Sequence, residues 1–280
     1  MTERVDVGPG PGDLDPGPGE KPADDLLTGE LELVGRLRTA SNATFVGRIG
    51  EVTVVYKPVA GEAPLWDFPD GTLANREVAA YLVSESFGWG VVPRTWLRDG
   101  PHGPGMAQLW QEPDPAQDPV DVVPVDAAAD DGGASDGRRT VLEGVDEDDN
   151  PVRLVHEDSA ALRRMAVFDV VVNNADRKGG HVLPMPDGHR FGVDHGVTFH
   201  VEHKLRTVLW GWAGEPLDPD ELAAVERVRA GLDGDLGPRL DALLTGDEAE
   251  ALAARCDRLL RTARFPAPHG PMPSVPWPLF

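Results

Sequence analysis

The pattern of apolar and polar positions divides the chain into a strand-rich part and a helix-rich part. In the first part, short runs of alternating or β-branched apolar residues predict strands. We place these strands at 31–37, 43–47, 52–57, 91–92 and 106–110. Apolar residues at helical spacing predict one helix over 72–87, and Gly88 is the expected terminating residue.

The second part begins with Ser159, which is placed to cap the amino terminus of a helix over 160–172. A polar loop over 173–181 follows. We expect a short strand pair at 181–183 and 190–193, then helices over 218–231, 236–244 and 247–263. Residues 266–280 include six prolines, so we expect them to pack as an extended strap.

Charge and composition separate two further segments from these structured parts. The chain contains 32 glycines and 27 prolines. Between residues 113 and 150 there are 12 acidic residues and two arginines. Segments so acidic and so poor in aromatic residues bury little apolar surface. We therefore expect an acidic disordered tail over 1–27 and an acidic low-complexity insert over 113–150.

The overall charge and the apolar run lengths exclude some classes of function. The formal net charge is −22, which disfavours a basic surface for nucleic acid. No apolar run reaches the roughly 20 residues that span a bilayer, and the first residues lack a signal-peptide core. The single cysteine, Cys256, excludes an internal disulfide. We expect a cytoplasmic protein.

The order of charged residues along the predicted elements suggests phosphoryl transfer. Lys57 ends a strand, and Glu77 lies on the next helix, with Glu85 as an alternative partner. Asp176 lies in the polar loop, and Asp194 follows the strand pair, two residues before a glycine. Phosphoryl transfer needs a lysine for the phosphates, an aspartate for the acceptor and a second aspartate for metal.

The motifs resemble the protein-kinase-like clan, and within it the phosphatidylinositol 3-/4-kinase branch. The sequence Asp-Arg-Lys-Gly-Gly-His over 176–181 is similar to that branch's catalytic loop, and Asp-His-Gly over 194–196 is similar to its metal-binding motif. The resemblance is closest to an uncharacterised, largely actinobacterial family with the same Asn-Ala-Asp-Arg-Lys-Gly-Gly-His loop. It covers about residues 28–265.

This resemblance implies a two-lobed α+β fold with ATP and a divalent metal between the lobes. Residues 28–112 would form a small β-rich N-lobe, and 151–265 a mainly helical C-lobe. The residues that match the family's functional positions fall into three groups. The catalytic pair would be Asp176, which orients the acceptor, and Lys178, which contacts the transferred phosphate; Lys178 as a solvated loop residue is the alternative.

Nucleotide and metal binding are assigned by the same resemblance. The nucleotide would be held by Ser41 and Asn42 at a phosphate-covering turn, by Lys57 and Glu77, and by the backbone near Gln111 and Glu112 as the adenine hinge. The metal, Mg²⁺ or Mn²⁺, would be held by Asp194 and His181. His181 replaces the family's asparagine, and a structural role for this histidine is equally compatible with the sequence.

The expected activity is therefore that of an ATP-dependent kinase acting on a hydroxyl group. The acceptor remains open among a protein, a lipid headgroup and a small metabolite. Two alternatives are transfer of AMP on the same fold and an ATP-binding sensor module without catalysis. Both keep the nucleotide site and differ in the reaction.

Overall fold

In a computed structural model, the chain forms an α+β protein with a β-rich part followed by a mainly helical part. The structure describes residues 28–37, 42–68, 71–125, 137–270 and 273–280. The expected acidic tail over 1–27 lies outside these described residues, as does Ser41.

A five-stranded antiparallel sheet forms the first part, in the order β1-β2-β3-β5-β4. Its strands are β1 (Leu31–Leu37), β2 (Thr44–Ile49), β3 (Val52–Pro58), β4 (Thr95–Gly100) and β5 (Gly103–Leu109). Helix α1 (Leu73–Phe87) connects β3 to β4 and ends at Gly88, whose φ of 73° lies in the left-handed region that favours glycine. The predicted helix and its terminating glycine are confirmed.

Strand alternation turns the Lys57 side chain toward α1. Lys57 pairs with Met106 across β3 and β5, so both project from the same face of the sheet. Met106 packs there against Ala74 and Val78 of α1. Tyr56 projects to the opposite face, into a separate cluster around Trp96 and Ile49. The Lys57 side chain therefore lies on the face of the sheet that packs against α1.

A second, three-stranded antiparallel sheet follows, in the order β6-β8-β7. It consists of β6 (Val120–Pro124), β7 (Arg138–Val145) and β8 (Pro151–Glu157). The expectation that the whole of 113–150 is unstructured is therefore wrong for its described residues. The apolar residues Val120 and Leu154 of the paired strands are buried in the main core, which offsets the ordering of these acidic segments.

The helical part contains α2 (Ala160–Val172), the hairpin β9 (Val182–Pro184) and β10 (Arg190–Gly192), and then α3 (Pro219–Leu232), α4 (Leu236–Asp241) and α5 (Gly246–Thr262). The side chain of Ser159 caps α2 by accepting from the Leu162 amide, as predicted. The buried residues of α1 from Ala79 to Phe87 belong to the same apolar core as these helices. Helix α1 is thus packed on both the sheet and the helical part.

The predicted strand at 91–92 is wrong. Val91 and Val92 are buried in the main core, and their backbones bond outside any strand ladder: the carbonyl of Val91 accepts from Gly192, and the amide of Val92 donates to the Ser84 hydroxyl. Pro93 follows and has no N–H to continue a ladder, so β4 begins only at Thr95.

The last residues run along the helical part without regular structure. Residues 266–270 and 273–280, which the structure describes, contain neither helix nor strand, in agreement with an extended strap. Of the described helices, none has the length and apolar character that a bilayer crossing requires.

A buried ion pair joins α1 to α5. The Arg76 guanidinium bonds to the carboxylate of Glu248, and the two side chains are only 2% and 9% exposed. Arg76 also donates to the carbonyl of Thr198 at 2.6 Å and lies over the Phe68 ring. Glu248 in turn accepts from the Thr245 amide in the capping box of α5. This pair fixes α1 to the helical part.

We expect Arg76→Ala to lower the free energy of unfolding by about 3–5 kcal/mol, because it leaves the buried Glu248 carboxylate without its partner. Urea denaturation at pH 7 measures this loss. Arg229→Ala is the control, since its pair with Asp257 is 30% and 51% exposed; we expect it to cost less than about 1 kcal/mol. Equal losses in the two variants would contradict the conclusion that Arg76 fixes α1 to the helical part.

Candidate active site

The ammonium group of Lys57 lies between two carboxylates that come from separate elements. Its Nζ donates to Glu77 Oε1 at 2.6 Å and to Asp194 Oδ1 at 2.7 Å. Glu77 is buried on α1, whereas the Asp194 side chain is 50% exposed. Asp194 directly follows the β9–β10 hairpin with a φ of 62°. Strand, helix and hairpin therefore meet at one lysine.

The pKa shifts of these groups follow from burial and from their mutual charges. Burial by itself would lower the pKa of Lys57, but the carboxylates of Asp194 and Glu77 outweigh it and raise that pKa. The Lys57 ammonium holds the pKa of Asp194 well below its usual range. Burial raises the pKa of Glu77, and Lys57 offsets only part of that rise. At neutral pH, Lys57 is a cation and Asp194 an anion.

Glu77 also connects to the residue after Asp194. Its second oxygen, Oε2, accepts from the backbone amide of His195 at 2.9 Å. The His195 ring is fully buried, and burial together with nearby Arg177 lowers its pKa well below the usual value. His195 is therefore neutral and ties the Asp194 backbone to α1.

The loop 174–181 brings Asp176, Lys178 and His181 to the same place. His181 Nδ1 lies 2.9 Å from the carbonyl of Asp176, and its Nε2 lies 3.5 Å from Asp194 Oδ2. Because a carbonyl only accepts, Nδ1 carries a proton. Burial lowers the pKa of His181, so the ring is neutral and Nε2, which faces Asp194, is unprotonated. Lys178 Nζ lies 3.2 Å from Asp176 Oδ2. The two aspartates thus flank one imidazole.

Beneath this loop, Arg177 forms a fully buried hub. Its guanidinium donates to the Asp169 carboxylate, to the carbonyls of His181 and Val193, and to His195 Nε2 at 2.6 Å. All five of its N–H donors have an acceptor. A Cβ added at Gly192 would lie 2.9 Å from Arg177 Nη2, so only glycine leaves room there. Arg177 therefore holds both the loop that ends at His181 and the segment that precedes Asp194.

The residues expected to bind nucleotide lie partly apart from this group. Asn42 is at the β1–β2 turn, where its Oδ1 accepts from the Ala63 amide at 2.7 Å. Gln111 and Glu112 lie in the connection between the two sheets, and Glu112 accepts from the Trp110 ring nitrogen at 3.1 Å. Within the described ranges, no hydrogen bond links these three residues to Lys57. Their nucleotide roles stay predictions.

Asp194 and His181 fit a metal that is shared with a phosphate ligand. Among the residues that the structure describes, no group of three or more His, Cys, Asp or Glu side chains forms an all-protein metal site. Mg²⁺ and related ions in phosphate-transfer sites use one or two protein ligands and take the rest from phosphates and water. A half-exposed carboxylate beside an unprotonated imidazole nitrogen matches that donor set.

Sequence reasoning gave no role to Arg76, Asp169, Arg177 or His195, which position the site without forming its surface. One sequence signal was available: Asp169 interrupts the apolar run Ala166, Val167, Phe168, Val170 and Val171 in α2. A charge inside such a run indicates a buried partner. Its partner Arg177 is eight residues away, in the loop 174–181.

We expect the stability cost of Lys57→Met to increase with pH. Removal of the Lys57 cation lets burial raise the pKa of Glu77 further above its unfolded value of about 4.3. Stability from a group with a raised folded pKa is lost as pH rises through that pKa. Urea titrations at pH 5 and pH 8 should therefore show a larger deficit at pH 8, by about 1.4 kcal/mol per unit of added pKa shift.

Lys178→Met is the matched control, because the partner of Lys178 is the more exposed Asp176. We expect its cost to stay below about 1 kcal/mol at both pH values. A Lys57→Met deficit that is the same at pH 5 and pH 8 would show that Lys57 does not neutralise Glu77.

Two solved structures show weak similarity to this chain. One is the proinflammatory kinase CtkA of Helicobacter pylori, with 12% identity and a TM-score of 0.46, covering 87% of this chain and 95% of CtkA. The other is HipA of Shewanella oneidensis, in a complex with HipB and operator DNA, with 12% identity and a TM-score of 0.38, covering 89% and 66%. Both TM-scores are below 0.5, so neither likeness establishes a shared fold.

At the level of sequence, no protein-family model matches the chain. A relative matches over nearly its whole length: Protein Rv2133c of Mycobacterium tuberculosis (strain ATCC 25618 / H37Rv) is 48% identical over 268 residues, which cover 91% of this chain and 94% of that protein. The chain therefore belongs to the family of the Mycobacterium tuberculosis protein Rv2133c.

Proposed function

We propose that this protein is an ATP-dependent phosphotransferase that transfers the γ-phosphate of ATP to a hydroxyl acceptor. The observation that carries the proposal is the contact of one lysine with two carboxylates, 2.6 Å to Glu77 and 2.7 Å to Asp194, beside the loop that bears Asp176. Phosphoryl transfer requires a fixed cation for the phosphates, a metal-binding carboxylate and a carboxylate for the acceptor.

We assign nucleotide binding to the surface beside Lys57. Lys57 contacts the α- and β-phosphates, and Glu77 holds its ammonium in place. Ser41 and Asn42, which lie between β1 and β2 in the sequence, cover the phosphates. The backbone near Gln111 and Glu112, in the connection that leaves the five-stranded sheet, holds the adenine.

Asp194 and His181 hold the divalent metal, Mg²⁺ or Mn²⁺, together with phosphate oxygens and water. When bound, this ion neutralises charge on the transferring phosphate. The unprotonated Nε2 of His181 supports this assignment, because its partner nitrogen is already committed to the Asp176 carbonyl at 2.9 Å. Imidazole as a ligand favours Mn²⁺ over Mg²⁺.

Asp176 orients the acceptor hydroxyl, and Lys178 stabilises the charge of the transferred group. The Asp176 side chain is 31% exposed, so an acceptor can reach it, and Lys178 lies 3.2 Å from its carboxylate. Rate enhancement then comes from positioning and charge stabilisation. Within kinase-like enzymes we assign the phosphatidylinositol 3-/4-kinase-like branch, with His181 in place of its asparagine, and we leave the acceptor open among protein, lipid headgroup and metabolite.

We expect Asp194→Ala to reduce transfer of label from γ-³²P-ATP by at least about 100-fold, because the variant lacks the metal-binding carboxylate. Autolabelling and acceptor labelling in Mn²⁺ and Mg²⁺ measure the change. Asp187→Ala is the control, since Asp187 lies in the turn of the same hairpin and, among the residues that the structure describes, accepts from the His189 amide alone. Label transfer that survives in Asp194→Ala would refute the assignment.

The same experiment separates the two alternative functions. Incorporation of label from α-³²P-ATP would indicate AMP transfer. Thermal stabilisation by ATP without incorporation of either label, under both metals, would indicate a nucleotide sensor. Absence of ATP stabilisation in the parent protein would exclude all three functions.

A further inference from the structure

The strap residues 273–280 return to the catalytic loop. The carbonyl of Leu279 accepts from the Gly179 amide at 2.8 Å. Gly179 begins the single turn of 3₁₀ helix formed by Gly179–His181. The first N–H groups of any helical turn lack a partner within it, so Leu279 satisfies a donor that the loop itself leaves free.

The Phe280 ring occupies the space beside Gly179 in which a side chain would lie. A Cβ added at Gly179 would overlap Cε1 and Cδ1 of that ring, whereas a Cβ added at Gly180 would meet Phe280 only at its backbone, at 3.8 Å. Neither glycine has a positive φ. Gly179 is therefore required by the neighbouring ring, and not by its own backbone conformation.

The strap is anchored a second time, independently of its last two residues. The carbonyl of Ser274 accepts from the Thr207 amide at 3.0 Å and from the Trp210 ring nitrogen at 2.8 Å. The adjacent Arg206 and Val208 bond to the other flank of the catalytic loop, at Asn174 and Arg177. Loss of the Phe280 ring should thus release the Gly179 side of the loop and leave the Ser274 anchor in place.

The segment held by Phe280 determines where the catalytic groups point. Gly179 lies between Lys178 and His181, and the His181 ring bridges the Asp176 carbonyl and the Asp194 carboxylate. A rotation of the Gly179 turn would move the His181 nitrogen away from Asp194. We propose that Leu279 and Phe280 act as positioning residues that hold the catalytic loop in its active geometry, an inference that rests on the proposed function.

The test is a double-mutant cycle between Gly179 and Phe280 in the full-length protein. Gly179→Ala places a methyl group in the ring's space, and Phe280→Ala removes the ring. We expect each single variant to speed amide hydrogen exchange of a 174–182 peptide by about tenfold relative to an α2 peptide. In the Phe280→Ala background, Gly179→Ala should add less than about twofold, because the two changes act on one contact.

Gly180→Ala is the matched control for exchange, since its methyl group finds ordinary contact distances. We expect its exchange to stay within about twofold of the parent. If Gly179→Ala and Gly180→Ala have equal effects, or if the effect of Gly179→Ala is the same with and without Phe280, the inference is overturned.

Turnover provides the second measurement. We expect Gly179→Ala and Phe280→Ala to lower kcat, measured at saturating ATP and metal, by about tenfold, because the displaced loop carries Asp176 and His181. Phe280→Leu, which refills the space with an apolar side chain, should restore most of the turnover. Faster exchange with unchanged kcat would overturn the positioning role. Coupled exchange in a parent protein that transfers no phosphate would instead refute the proposed function.

Discussion

The contact of the Lys57 ammonium with two carboxylates is the interaction on which the rest of the site depends. It joins β3, α1 and the loop after the β9–β10 hairpin, three elements that are separate in the sequence. Burial disfavours the charged forms of Lys57 and Glu77, and the contact between their opposite charges opposes that effect. The sheet register that turns Lys57 toward α1 therefore also lowers the pKa of Asp194.

A second buried group supports the first from below. Arg177 and Asp169 have completely buried side chains, and their charge pair is completed by bonds to two backbone carbonyls and to His195. The backbone amide of His195 in turn donates to Glu77. One continuous chain of polar contacts thus runs from the sheet to the helical part, through Lys57, Glu77, His195, Arg177 and Asp169. Asp176 and Asp194 lie at the surface of this chain.

Sequence alone was sufficient where local rules apply. The Gly88 terminus, the Ser159 cap and the helices of the second part follow from capping and periodicity. Glu77 was preferred to the alternative Glu85 because it lies nearer the start of the helix, and its contact with Lys57 is observed. The strands β6 and β7 were missed because they are structured through their pairing with β8, and the composition of the segment does not reveal that pairing. Arg76 was missed because its partner Glu248 is 172 residues away.

The packing of helix α1 limits how the surroundings of Lys57 can adjust to a ligand. Its inner face belongs to the main apolar core, and the Arg76–Glu248 pair fixes its first turns to α5. The helix that carries Glu77 is therefore held to the helical part both through its inner face and through its first turns. A ligand that binds beside Lys57 would therefore meet α1 as a fixed side and would have to be accommodated by the five-stranded sheet.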